Sequence, residues 1–291
     1  MLIPGVSHAG AVRLSADLGR HPDLCLPHDR RAGEFTPLRY GRPVDVGPHD
    51  YDRHFPSWSG QRFRMETSPH YFDGGRPMAE MLAERLPDLR VVLVLRDPAH
   101  RLWTGYTDKV ARRRLPRAIT FDTFVDRCLA LRANGADRFE GNRHFRTLSS
   151  GFYVEHLPHW LDVFGDRLRL TFTEHLQEDP AAEVRDLIAW LGLDPGQVAP
   201  AAGEGGEEPV AGYPAPDAAR GAINRLWPAL QRPSGPWWRP DPGAPVRPPR
   251  QSERARARVR SLYAGANQEL AALLAGRGVD RLPGWLAGSE V

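Results

Sequence analysis

The sequence predicts an α/β protein with a mostly parallel sheet flanked by helices on both faces. Three observations carry that reading. Val91–Leu95 (VVLVL) is a continuous run of five apolar, mostly β-branched residues, the pattern of a strand buried on both faces. Asp97 is a good helix N-cap and Pro98 suits the first helical position, so a helix follows that strand at once. Similar strand-then-helix units recur along the chain, and repeated units of this kind build a mostly parallel sheet covered by helices.

The elements follow in order. Residues 1–3 read as the end of a first strand; the abrupt start suggests that the natural start codon lies upstream. Residues 11–18 read as the helix after it, and 21–27 as a turn and a short extended piece. Residues 29–48 have little periodicity and much Gly, Pro and Arg, which predicts a loop with a helical turn. Residues 63–65 form a short strand. Residues 77–85 form a helix with Met78, Met81 and Leu82 on one face. The Val91 strand comes next, and its helix runs to about Arg112 with Arg101, Thr104 and Asp108 near one face. Residues 121–133 place Phe121, Phe124, Val125, Cys128, Leu129 and Arg132 at helical spacing. Residues 152–164 read as a helix that Pro158 kinks. A strand over 168–172 and a helix over 180–191 complete the alternation. Residues 195–250 are rich in Pro, Gly and Ala, which predicts an irregular loop or lid with one short helix at 218–230. A last helix over 252–274 carries Val259, Leu262, Tyr263, Leu270, Leu273 and Leu274 on one stripe. The whole, 1–291, reads as a single domain.

Composition narrows the class. The 291 residues suffice for one substantial core, and 41% hydrophobic with 26% charged residues is ordinary for a globular protein. The net charge of +3 includes no long basic run and no basic-aromatic ladder, which argues against nucleic acid and fits a small anionic ligand. Cys25 and Cys128 are the only cysteines, so no disulfide framework or Cys-rich metal site is implied. The eleven histidines show no paired metal spacing, and no metal is expected. No apolar stretch approaches the roughly 20 residues of a membrane span. The N-terminus lacks a basic n-region, and the cytoplasm is the expected location. Of 39 Lys and Arg residues only Lys109 is lysine.

The segment RVVLVLRDPAHRLWTGY holds the first candidate site. A strand delivers Arg96 to its C-terminal end, and the next helix offers the Thr104 hydroxyl one to two turns in. A charged fork beside a short hydroxyl suits a phosphate. An ordinary strand-turn-helix unit with a surface arginine is the alternative.

LRDPAHRLWTGY resembles the 3′-phosphate motif of sulfotransferases that use 3′-phosphoadenosine 5′-phosphosulfate (PAPS). METSPHYF, over 65–72, and GFYVEHLPHWLDVFGDRLRLTFTEHLQEDP, over 151–180, resemble further ordered segments of that family, in the branch with heparan-sulfate sulfotransferases. The resemblance implies a P-loop-like sheet, PAPS as co-substrate, and Arg96 and Thr104 as the grip on its 3′-phosphate. It places the 5′-phosphosulfate loop at Gly5, Val6, Ser7, His8, Ala9, Gly10, Ala11 and Val12. There His8 stands for the family's lysine and Ala11 for its first threonine. Backbone amides at a helix N-terminus still hold a phosphate without those side chains. One lost charge-assisted hydrogen bond costs roughly 1.5–3 kcal/mol. A cationic His8, its pKa raised by a bound dianion, is expected to recover part of it.

The family's base is a glutamate shortly after the first helix. The matching segment here is HDRRAGEF, where Arg31 occupies the glutamate's place and Asp29 and Glu34 flank it. Glu66, in METSPHYF, is the other candidate base; a structural partner for a nearby arginine is its alternative reading. Thr67 replaces the lysine that follows it. A late nucleotide-closing loop has no clear match, and Arg247 or Arg250 would substitute for its basic residue. Lys109, about 140° around its helix from Thr104, does not fill the missing positions. Trp237 and Trp238 would line an acceptor site or cap the core. The acceptor implied is a hydroxyl on a carbohydrate or secondary metabolite. A catalytically impaired nucleotide-binding relative and a structural protein on the same fold are the competing readings. The sequence does not specify an oligomeric state.

Overall fold

The computed structural model describes residues 1–28, 32–44, 51–115, 119–200 and 251–287. Four strands form the central sheet: β1 (Leu2–Ile3), β4 (Glu66–Thr67), β5 (Val91–Leu95) and β6 (Leu168–Phe172), in the order β4-β1-β5-β6 and parallel throughout. The register pairs Leu2 with Glu66 and Val91, and runs from Val91 opposite Leu168 to Leu95 opposite Phe172. All five residues of β5 are buried, as a continuous apolar strand between two covered faces requires. A small parallel pair, β2 (Leu24–Cys25) with β3 (Phe63–Arg64), stands apart from it.

Connections from β1 lead to β4 on one side, whereas those from β4 and β5 lead across to the other. Right-handed crossovers therefore put their helices on opposite faces. Helix α1 (Ala11–Leu18) packs with α7 (Pro180–Trp190), and α2 (Gly75–Arg85) packs with α5 (Leu157–Phe164). The chain ends of β1 and β5 lie side by side where these connections diverge, the place where open α/β sheets bind ligands.

A second core lies beside the first. Helix α3 (Pro98–Ala111) packs on α4 (Phe121–Ala133) and on α8 (Glu253–Ala275), joining Leu102, Tyr106, Phe124, Cys128, Val259 and Tyr263. A short α9 (Gly284–Ala287) packs against α8.

One expectation changes, and two short elements are additional. The helix expected over 152–164 is a 3-10 turn at Tyr153–Glu155 followed by α5, with Pro158 in its first turn. Proline there opens a helix instead of kinking one, because the missing N–H would have had no partner. Helix α6 (Thr173–Glu178) and strand β4 were not expected; both are too short to show a period. The loop over 29–48 contains a 3-10 turn at Thr36–Tyr40, while 29–31 and 45–48 lie outside the described residues. The helix expected at 218–230 lies outside them as well.

Candidate active site

The loop after β1 is built from its carbonyls. Thr173 Oγ1, at the start of α6, shares its proton between the Ala9 carbonyl at 2.8 Å and that of Leu95 at 3.1 Å. Arg96 Nη1 donates to the His8 carbonyl at 2.9 Å, and Arg101 Nη1 reaches that of Ser7 at 3.5 Å. Three successive carbonyls are thus held by side chains from the β5–α3 turn, α3 and α6. A trans peptide carries its N–H opposite its C=O, so the amides of His8 and Gly10 face the other way. Gly10 sits at φ +84° as the N-cap of α1, and His8 at φ +67°. The first amides of α1 have no intrahelical acceptor, and the loop and helix start together form a concave set of donors suited to an anion. Gly5 must be glycine, because a Cβ there would stand 2.6 Å from Phe72 Cβ.

The side chains divide sharply. Val6, Ala9 and Ala11 are buried in the main core, so they offer a ligand only their backbone. Ser7, His8 and Val12 are half-buried and Gly10 is exposed. Ser7 Oγ lies 2.9 Å from His70 Nδ1 and donates to the Pro69 carbonyl at 3.1 Å.

Arg96 and Thr104 come together, with Arg96 Nη1 3.3 Å from Thr104 Oγ1. One guanidinium therefore joins the α3 hydroxyl to the β1 loop. The Tyr153 hydroxyl fixes the Arg96 carbonyl at 2.8 Å, and Asp97 caps α3 by accepting from Ala99 N at 2.8 Å. Burial draws the Arg96 pKa down, and Glu174 and Asp97 oppose it; an arginine stays charged regardless.

In the free protein burial, then the charges of Lys109, Arg101 and His70, hold the His8 pKa well below the ordinary histidine value. The ring is neutral near pH 7 in this state; the cation expected above belongs to the complex with a bound dianion. Lys109 lies on the far side of α3 from Thr104, where its spacing puts it; it is buried, and its Nζ donates to Thr147 Oγ1 at 2.7 Å and to the Gly105 carbonyl at 3.0 Å. Arg101, Gly105 and Lys109 form one ridge at four-residue spacing, and the His8 ring and Thr147 pack where Gly105 has no side chain. The readable signal was a glycine one turn before a lysine on a buried face.

Glu66 is 1% exposed and accepts from Tyr51 Oη, Ser68 Oγ and, at 3.2 Å, Gly33 N. It buttresses the 33–35 segment. Among the described residues its partners are hydroxyls and an amide instead of the arginine considered above. Tyr71 Oη accepts from Phe35 N at 3.0 Å. Glu34 lies between these two anchored residues, keeps partial exposure, and pairs with Arg53 and with His54 Nε2. Asp29, Arg31, Trp237, Trp238, Arg247 and Arg250 lie outside the described residues.

Residues 61–202 match the sulfotransferase domain family. That match includes Glu66, Arg96, Thr104 and Lys109 and begins after the β1 loop. Human heparan sulfate glucosamine 3-O-sulfotransferase 3B1 is 30% identical over 195 residues, covering 66% of this chain and 45% of that protein. The bifunctional heparan sulfate N-deacetylase/N-sulfotransferase 1 of Caenorhabditis elegans is 28% identical over 197 residues, covering 66% of this chain and 22% of that protein. The chain thus spans less than half the length of these curated relatives. The crystal structure of a sulfotransferase from Alicyclobacillus acidocaldarius superposes with a TM-score of 0.59 at 22% identity, covering 78% of this chain and 90% of that one.

Proposed function

This chain belongs to the sulfotransferase family, and from that premise we propose that it moves a sulfuryl group from PAPS to a hydroxyl of a carbohydrate or secondary metabolite by in-line displacement. The observation that carries the reading is the double donation of Arg96, to Thr104 and to the His8 carbonyl. It joins a charged phosphate grip to a loop of outward amides. In this reading Arg96 and Thr104 hold the 3′-phosphate, and the amides from His8 to the start of α1 hold the 5′ end. Arg247 and Arg250 belong to the same proposal as late nucleotide contacts. The relatives are named for heparan sulfate, a polysaccharide, which supports a carbohydrate acceptor. A cytoplasmic setting is proposed with it; no described helix is long and apolar enough to cross a membrane.

Bound PAPS supplies the activated sulfuryl group, and the chain's own groups position it and take the acceptor's proton. Glu34 is assigned as the base because it retains exposure, while Glu66 and Tyr71 hold the backbone on either side of it. Arg53 and His54 keep the Glu34 carboxylate in one orientation.

The test pairs calorimetry with transfer of labelled sulfate. Arg96→Ala should weaken binding of adenosine 3′,5′-bisphosphate (PAP) at least about tenfold, the loss of one charge-assisted contact. Glu34→Gln should lower turnover about 10²–10⁴-fold with PAP affinity kept. Unchanged PAP affinity in Arg96→Ala would overturn the assignment of the nucleotide site. Intact PAP binding without transfer to any acceptor would favour the catalytically impaired relative.

A further inference from the structure

Two buried cations stand behind the β1 loop without a counter-charge. Arg101 is 1% exposed and Lys109 7%. Lys109 Nζ meets only neutral acceptors, the Gly105 carbonyl and the Thr147 hydroxyl. Arg101 donates to the carbonyls of Ser7 and Thr147, lies 5.9 Å from the Tyr153 ring centre, and leaves its Nε with no partner. Among the described residues neither cation enters an ion pair. The nearest carboxylate in sequence, Asp108, is engaged by Arg112 at 2.5 Å. Burying unpaired charge is costly, and such charge is retained where something else balances it. Both cations lie on the α3 ridge that faces Ser7 and His8, so their field falls on the loop whose amides point outward.

We propose that Lys109 and Arg101 form a cationic backing beneath the β1 loop, and that the counter-charge they lack is the 5′-phosphate end of the bound nucleotide. The inference rests on the nucleotide reading above and deepens it. Lys109 is a positioning residue: it acts through the loop and through Thr147. The positive charge absent from the loop at His8 is supplied one layer down, from the helix. The neutral His8 ring fits this arrangement, since the same cations that attract an anion suppress its protonation.

Protonation offers a readout that a merely structural lysine would not give. Burial, together with Arg101 and Arg114, lowers the Lys109 pKa to about 8 in the free protein, while Asp108 and the Cys128 thiol of α4 oppose that. The other titratable groups affected by it are His8 and His144, both held below the ordinary histidine range. A polyanion bound at the loop raises the Lys109 pKa, so binding above pH 8 must take up a proton. The ligand's own phosphates are already fully ionised there, their second ionisation lying near pH 6.

The experiment is calorimetry of PAP binding to the full chain from about pH 6 to 9.5, in buffers of different ionisation enthalpy. Proton uptake should be near zero at pH 7 and approach one proton by about pH 9. Lys109→Arg should keep the affinity and abolish the uptake. Lys109→Met should bind PAP about tenfold or more weakly at pH 7. Thermal melting of the free variants completes the test. Removing an uncompensated buried charge should leave Lys109→Met as stable as the wild type or more so, whereas a lysine that merely tied Thr147 to α3 would be missed. Uptake centred near pH 6 and lost in His8→Ala, or wild-type affinity in Lys109→Met, would overturn the proposal while leaving the nucleotide site standing. Absence of PAP binding by the wild type would overturn both.

Discussion

At the scale of single residues, Gly105 sets how closely α3 approaches the β1 loop. A Cβ there would stand 2.7 Å from Thr147 Cγ2 and 3.1 Å from His8 Cδ2. Gly105→Ala thus sets two effects against each other. Alanine gains about 1 kcal/mol of helix propensity, and overpacking costs about 1–3 kcal/mol. Net stability should change by no more than about 2 kcal/mol, measured by urea unfolding. The relief available is a shift of His8 and its loop, so PAP affinity should fall by about tenfold, well beyond what the stability change suggests. A variant that binds PAP like the wild type would show that this packing does not shape the loop. The glycine was legible as a letter but not as a contact. Nothing in the local pattern says that a histidine from the β1 loop rests on it.

Among the elements, Asp73 ties three irregular pieces together. Its carboxylate is paired with Arg39 at 2.5 Å and Arg146 at 3.0 Å, and accepts from Ser150 Oγ at 2.5 Å. It thereby links the 3-10 turns at Thr36–Tyr40 and Phe72–Gly74 with the segment carrying Arg146, Thr147 and Ser150. Burial alone would raise the Asp73 pKa, but the two guanidinia and the hydroxyl outweigh it and hold the carboxyl well below its usual range. A depressed folded pKa contributes stability that is fully present above the unfolded value, near 3.9, and is lost as pH falls below it. Asp73→Asn leaves two buried guanidinia without a charge partner and should cost about 3–5 kcal/mol near neutral pH. Its stability should also fall less steeply than the wild type's between about pH 5 and 2 in urea titrations. None of these residues shares a sequence period, because turns without regular spacing hold them. Helix α5 is the converse case. Pro158 marked an irregularity that the sequence showed, and the three-dimensional setting decided that it begins a helix.

For the whole molecule, two cores share the work. The sheet and its flanking helices, with Leu270 and Leu274 of α8, form the larger one, and α3, α4 and the N-terminal half of α8 form the smaller. The proposed nucleotide grip stands at their boundary: Arg96 directly follows β5 of the first core, and Thr104 belongs to a helix of the second. Tyr263 of α8 anchors the second core, with its hydroxyl donating to the Leu148 carbonyl at 2.8 Å and its ring 4.8 Å from that of Phe152. Gly151 lies against it so closely that a Cβ there would stand 2.7 Å from Tyr263 Oη. Tyr263→Ala should cost about 3–5 kcal/mol. Amides of α4 and α8 should exchange faster than those of β5, since local opening follows the weaker core. Equal acceleration in β5 and α8 would show one cooperative core.

The sequence by itself determined the parallel α/β architecture, the fully buried β5, the capped helix after it, and the pairing of Arg96 with Thr104. Each is a local matter of hydrophobic period, capping chemistry or spacing along one strand-helix unit. The tertiary structure alone decided the surroundings of Lys109, Glu66 and His8. Helical spacing correctly put Lys109 away from Thr104, yet it could not tell that Thr147 and the β1 loop stand against that other face. Glu66 read as either a candidate base or the structural partner of an arginine, and Tyr51, Ser68 and Gly33 close around it. His8 is neutral in the free protein because burial, and then cations distant in sequence, disfavour its protonation. Periodicity reports which face of an element is buried; charge state and accessibility depend on what is packed against that face, and chain segments remote in sequence supply it.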